Sequence, residues 1–208
     1  MSTNYPVIKT YAFCNTALGV KEIVFTNSYN VSVSDESLID FSEEENMSII
    51  GWYNDDKTIL HVAPAYGDKI FANPDSGSMF FGCENLERIT GLWMLDTSNV
   101  YNMLAMFADC AKLKELDLSS FNTANVKNME EMFIGCNELE SINLSSFNTS
   151  KVIRMSHMFN SCRSLKTLDL TNFNVDAVYS AYKMFYGCDK LKDLKVNAKF
   201  ITTLLNNK

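Results

Sequence analysis

The chain has 208 residues, 47% of them hydrophobic and 21% charged, with a formal net charge of −7. This is enough apolar material for a sizeable core without metal or disulfide staples, and no apolar run approaches the roughly 18 residues of a membrane-spanning helix. An acidic balance also argues against a phosphate-backbone binder, which needs a basic stripe, so neither a membrane nor a nucleic acid is expected as partner.

From the N-terminus, residues 1–10 lack a basic start followed by an apolar core of about 7 to 15 residues, so no secretory signal is expected. The chain is therefore read as cytoplasmic, or as a cell-surface protein if its N-terminus has been trimmed. Residues 21–25 have strand composition, and 47–53 with 58–62 form an expected hairpin closed by 54–57. The stretch 35–46 is acidic, densest at Glu43, Glu44 and Glu45. Residues 69–72 add a short strand before the turn-forming 73–77. No repeat occurs in 1–78, and no Pro/Gly/Ser linker separates this segment from Met79 onward, so it is assigned as a β-rich N-terminal cap. It holds 4 Lys against 11 Asp or Glu, whereas 79–208 holds 14 of each sign, so the whole charge excess falls on the cap. Such a face either meets a basic partner or is simply solvated.

From Met79 the chain repeats itself. Cys83, Cys110, Cys136, Cys162 and Cys188 are separated by one step of 27 and three of 26, and the apolar positions between them recur in register. Fixed-period self-similarity of this length marks stacked repeat units. From Val126 through Met129, Met132, Phe133 and Cys136 to Leu139 the apolar steps keep one face of a helix apolar. In the next six residues Ile142 and Leu144 alternate with Ser141, Asn143 and Ser145, which is a strand pattern. The Ser-Ser-Phe-Asn-Thr segment after the strand favours turns and helix caps. The reading is an α/β solenoid, a right-handed coil of strand–turn–helix units with four full repeats and a partial C-terminal cap over 79–208. Gly91 lengthens the first unit by one residue and predicts a bulge or wider turn.

The phrases Met-Phe-x-Gly-Cys-x-x-Leu, Leu-Asp-Leu-Ser-Ser-Phe-Asn-Thr and Asn-Val-x-x-Met resemble the BspA-type leucine-rich repeats of bacterial surface proteins, also seen in mycoplasma lipoproteins and in some protist and phage proteins. The segment 50–74 is similar to the one that precedes such repeats in that family. The resemblance implies a leucine-rich-repeat-like horseshoe fragment and a binding role, often adhesion to host proteins.

No catalytic or metal constellation emerges. One cysteine per unit at an apolar position is not the paired spacing of structural zinc, and a buried thiol behaves as a small hydrophobe. His61 and His157 have no partner spacing to recruit them, and phosphate-loop, nucleophile-elbow and zincin motifs are absent. No cofactor is expected, and the chain is read as a non-enzyme. Met103, Met106, Met129, Met132, Met155, Met158 and Met184 are assigned to the core. The outward strand columns, Glu115, Ser141, Thr167, Asp193 and Asp117, Asn143, Asp169, Lys195, are the first candidate contact surface, because repeat proteins bind through such continuous faces. Glu43, Glu44 and Glu45 are the second. The functional expectation is a protein-binding module whose partner is another protein, for example an inhibitor of a host defence complex. The alternative is an extracellular adhesin.

Overall fold

The structure, a computed structural model, describes residues 6–14, 16–17, 19–28 and 37–206. Asp35 and Glu36, the start of the acidic stretch, lie outside them. Strands β1 (Glu22–Phe25), β2 (Ile39–Asp40), β3 (Ile49–Tyr53), β4 (Ile59–Pro64) and β6 (Arg88–Thr90) form one mixed sheet in the order β2-β3-β4-β1-β6. The β3–β4 hairpin closes as its composition demands: Asn54 Oδ1 accepts the Ile59 N–H at 2.8 Å and Asp56 Oδ1 the Thr58 N–H at 3.0 Å. Strand β1 runs parallel to both β4 and β6, setting Ile23 beside Leu60 on one side and Ile89 on the other. The N-terminal segment and the first repeat therefore share a sheet.

Gly91 makes the first unit different. Its φ is 76°, and an added Cβ would stand 2.0 Å from the carbonyl oxygen of Phe25. The extra residue opens a single 3-10 turn, Leu92–Met94, before β7 (Leu95–Asp96) pairs in parallel with β5 (Ile70–Phe71). Later units carry only a short strand each: β8 (Glu115–Asp117) pairs with β9 (Ser141–Asn143), and β10 (Thr167–Leu170) with β11 (Asp193–Val196), both in parallel.

The structure corrects the strand–turn–helix expectation. Rather than a right-handed leucine-rich-repeat-like solenoid, the chain forms small mixed sheets, and the described residues contain one α-helix, α1 (Ala198–Asn206), which lies after the repeats. The segments read as helices are successive turns. Left-handed residues interrupt each one, at Ala105 and Asp109, at Glu131 and Gly135, and at His157 and Ser161. No run of α-helical dihedrals survives a positive φ at every fourth residue. The hydrogen bonds agree. Met132, Ile134 and Cys136 donate their N–H groups to residues three back, whereas Glu131, Phe133 and Gly135 donate to Ser156, Met158 and Asn160 in the next unit. Three-and-four spacing of apolar residues fits a helix and also fits a chain of turns laid flat against a neighbour.

Identical side chains consequently stack. Phe80, Phe107, Phe133, Phe159 and Phe185 lie ring on ring, with centroids 4.9, 5.7, 5.4 and 5.8 Å apart. Offset aromatic pairs of this kind add about 0.5–1.5 kcal/mol each beyond area burial. Phe147 stacks on Phe173 in a second column. Cys110, Cys136, Cys162 and Cys188 each donate their thiol hydrogen to the carbonyl of a phenylalanine in the previous unit, at 3.0–3.2 Å. The hydroxyls of Thr97, Thr123 and Thr149 tie in the opposite direction, donating to the backbone carbonyls of Asn122, Asn148 and Asn174 in the next unit. At the fourth position Val175 replaces threonine and the column ends. Met103, Met106, Met129, Met132, Met155, Met158 and Met184 are all buried.

Both ends of the phenylalanine column are closed. Phe13 stacks on Phe80 at 4.8 Å, its carbonyl accepts from the Cys83 thiol, and its N–H donates to Met79. Tyr11, with φ 57°, has the left-handed geometry found two residues before each column phenylalanine. The Tyr-Ala-Phe-Cys turn of the N-terminal segment thus imitates a repeat. At the far end Phe200 of α1 packs edge-on against Phe173 and at a tilt against Phe185.

Candidate functional site

Alternation in the strands sends Leu116 and Leu168 inward and leaves Glu115, Asp117, Ser141, Asn143, Thr167, Asp169, Asp193 and Lys195 exposed. The eight do not form one site. Glu115, Asp117, Ser141 and Asn143 line an open groove of about 470 Å³, which extends onto Arg88 and Thr90 of β6. Asn143 and Asp169 share a neighbouring depression of about 260 Å³ with Ser145 and Thr171. Thr167 and Asp193 sit opposite one another in register, as do Asp169 and Lys195. Thr167, Asp193 and Lys195 line neither groove.

The carboxylates in these grooves are held, not loose. Asp117 accepts the N–H of Ser119 at 3.0 Å, and this backbone bond, with the Ser119 hydroxyl, lowers its pKa from the ordinary value. Asp169 accepts both the hydroxyl and the N–H of Thr171, at 2.7 and 3.0 Å, which lowers its pKa likewise. Each side chain closes a turn on its own backbone, so each presents a fixed, charged acceptor to solvent.

Glu43, Glu44 and Glu45 are exposed in the loop after β2, and Glu43 and Glu44 border a small cavity of about 160 Å³ beside Tyr66 and Pro74. Lys9 lies 3.5 Å from Glu45. This loop lines neither strand groove, so the two candidate surfaces are separate.

Nucleophilic chemistry finds no support in the cysteines. Burial raises the thiol pKa of Cys136 to about 12 and that of Cys188 to about 11. His61 stacks on Trp52 at 5.2 Å, and His157 Nδ1 is 2.9 Å from the Asn160 amide. Among the described residues no three His, Cys, Asp or Glu are grouped to hold a metal, and no helix is long and apolar enough to cross a membrane.

Two features are not apparent from the repeat pattern. Arg88 joins the groove because β6 continues the strand row, and its guanidinium pairs with Glu22 at 2.6 and 3.1 Å. The 27-residue first step hides that equivalence. Secondly, Tyr179, Tyr182 and Tyr186 are 58%, 44% and 64% exposed on the turn side of the last unit. The Arg154 Nε donates to the Tyr179 hydroxyl, and Lys183 Nζ sits 5.0 and 5.3 Å above the rings of Tyr182 and Tyr186. A finer charge count points there: 150–208 carries 10 Lys or Arg against 4 Asp or Glu, net +6, while 1–149 carries 8 against 21, net −13. The apparent neutrality of 79–208 is the sum of two opposed halves.

A family model described as "Mycoplasma protein of unknown function, DUF285" matches residues 75–198, more than half of the chain. The chain belongs to the DUF285 family. The match begins at Asp75, whose backbone bridges Asn102 as the first of the bridge column Asp75–Asn102–Asn128–Arg154–Ser180, and ends at the first residue of α1. Comparison with curated proteins gave no match, and neither did comparison with solved structures.

Proposed function

We propose that this DUF285 protein is a non-catalytic protein-binding module whose strand-face groove receives a basic or hydrogen-bond-donating segment of a partner protein. The carrying observation is that Glu115, Asp117, Ser141 and Asn143, from two successive units, line one open groove. Asp117 is fixed in a turn by the Ser119 N–H, and preorganised acceptors lose little entropy on binding. The buried, high-pKa thiols favour a non-enzymatic reading, since a catalytic cysteine needs an accessible thiolate.

The repeat phrases are similar to those of BspA-like surface proteins, and that likeness favours a second reading within the same class, attachment at a cell surface. Both readings use the same groove and differ in the compartment of the partner.

The test is affinity capture from the native host with the wild type and with Asp117→Asn/Asp169→Asn. Asparagine keeps the oxygen that closes each turn and removes only the charge. Loss of the captured partner, with circular dichroism reporting the double variant as folded, is the expected result. Undiminished capture by the double variant overturns the groove as the contact surface.

A further inference from the structure

The tyrosine rim has an unmatched edge beside it. In each inner unit alternate N–H groups donate to the next unit: Ala105 to Glu130, Glu131 to Ser156 and His157 to Tyr182, all at 2.9 Å. The equivalent groups of the last unit, the N–H of Lys183, Phe185 and Gly187, meet no acceptor among the described residues. They lie between Tyr182 and Tyr186, whose rings carry the Lys183 ammonium. Backbone donors, two cations and three exposed phenol rings at one end of the molecule ask for a partner rich in carboxylates.

We propose that this rim docks the acidic N-terminal face of a second copy of the chain. That face stands at the opposite end: β2 is the outermost strand of its sheet, followed by exposed Glu43, Glu44 and Glu45, and the end row of the bridge column is Ser180. The charge split of net −13 before residue 150 and +6 after it gives each copy one surface of each sign. The carboxylates of one copy accept from the Lys183 and Arg154 side chains and from the open N–H groups of the next, and the tyrosines supply the apolar contact. The pairing is head to tail, so it does not close and small assemblies grow stepwise. Three rings and two cations make a contact at the small end of specific interfaces, held largely by screened charge. It is independent of the strand-face groove, and its failure leaves that groove untouched.

Sedimentation equilibrium of the intact chain tests this. At about 0.1 M salt the weight-average mass should exceed the 23.6 kDa of one chain as concentration rises, and at about 1 M salt it should return to that value. Arg154→Gln/Lys183→Gln should remain monomeric, as should Glu43→Gln/Glu44→Gln/Glu45→Gln, with circular dichroism reporting both as folded. Mixed in equal amounts the two variants should form a dimer and stop, since each keeps only one competent end. A wild type that stays monomeric, variants that associate as the wild type does, or a mixture that remains monomeric would each overturn the proposal.

Discussion

The thiol of Cys136 donates a hydrogen bond to the carbonyl oxygen of Phe107, 3.1 Å away and one unit earlier, and the same oxygen also accepts the N–H of Cys110. The cysteine column is thus a set of cross-unit ties as well as packing. Cys136→Ala should cost about 1–3 kcal/mol, the lost bond plus a small cavity, read as a lower urea midpoint with unchanged slope.

The thiols of Cys110, Cys136 and Cys162 are raised well above their ordinary pKa, mainly by burial for the last two and by the neighbouring Cys83 side chain, then burial, for the first. With almost no thiolate present they should not react with an aromatic disulfide reagent near neutral pH. All six cysteines should react once urea unfolds the chain, so a native count of five or six would contradict the burial of the column.

Met132 is fully buried. Met132→Asp places an unpaired charge in the core, and a loss of several kcal/mol, enough to abolish cooperative unfolding by circular dichroism, is expected. A folded, cooperative variant would reverse the inside–outside assignment.

Gly91→Ala confronts both a left-handed φ and the Phe25 carbonyl, a backbone atom that cannot swing away. It should lose about 1–3 kcal/mol or more, whereas Gly67→Ala, with φ 79° but nothing within 4 Å, should lose only the strain part. Equal midpoints for the two variants would show that the cap and first unit do not press together at Phe25.

Acid should loosen the turns. The pKa of Asp117 is lowered chiefly by the Ser119 N–H and that of Asp169 by the Thr171 hydroxyl; for Asp96 burial pushes upward, but the Ser98 hydroxyl and N–H bring the net shift downward. Their folded values lie below the ordinary 3.8, so the stability they add is present above that value and disappears as pH falls through the depressed ones. The urea midpoint should drop as pH falls below 3.8, and less steeply in Asp96→Asn/Asp117→Asn/Asp169→Asn.

Much of this molecule is legible in its sequence because repetition amplifies weak signals. The 26-residue step, the inward Met and Cys positions, the β3–β4 hairpin and the outward polar columns all arise from period and alternation. The turns in place of helices do not, since Val126, Met129, Met132 and Phe133 have the same spacing whether the backbone bonds to itself or to its neighbour. What distinguishes the two is Glu131 and Gly135 in left-handed geometry, and a glutamate gives no local hint of that. Tyr11 and Phe13 are hard to recognise as an imitation repeat because they lack the Gly-Cys ending. Arg88 is hidden by the one-residue insertion, and the tyrosine rim by its departure from the repeat consensus.

The matching of every unit to the next has an evolutionary corollary. Removing residues 110–135 would join Asp109 directly to Cys136, which would inherit the bond of Cys110 to the Phe80 carbonyl, and both termini would keep their neighbours. Such a chain would be shorter by about one aromatic spacing, 5–6 Å. Gene-level duplication or loss of whole units therefore offers this lineage a graded ruler, in which reach changes in fixed increments while the two end surfaces are inherited intact.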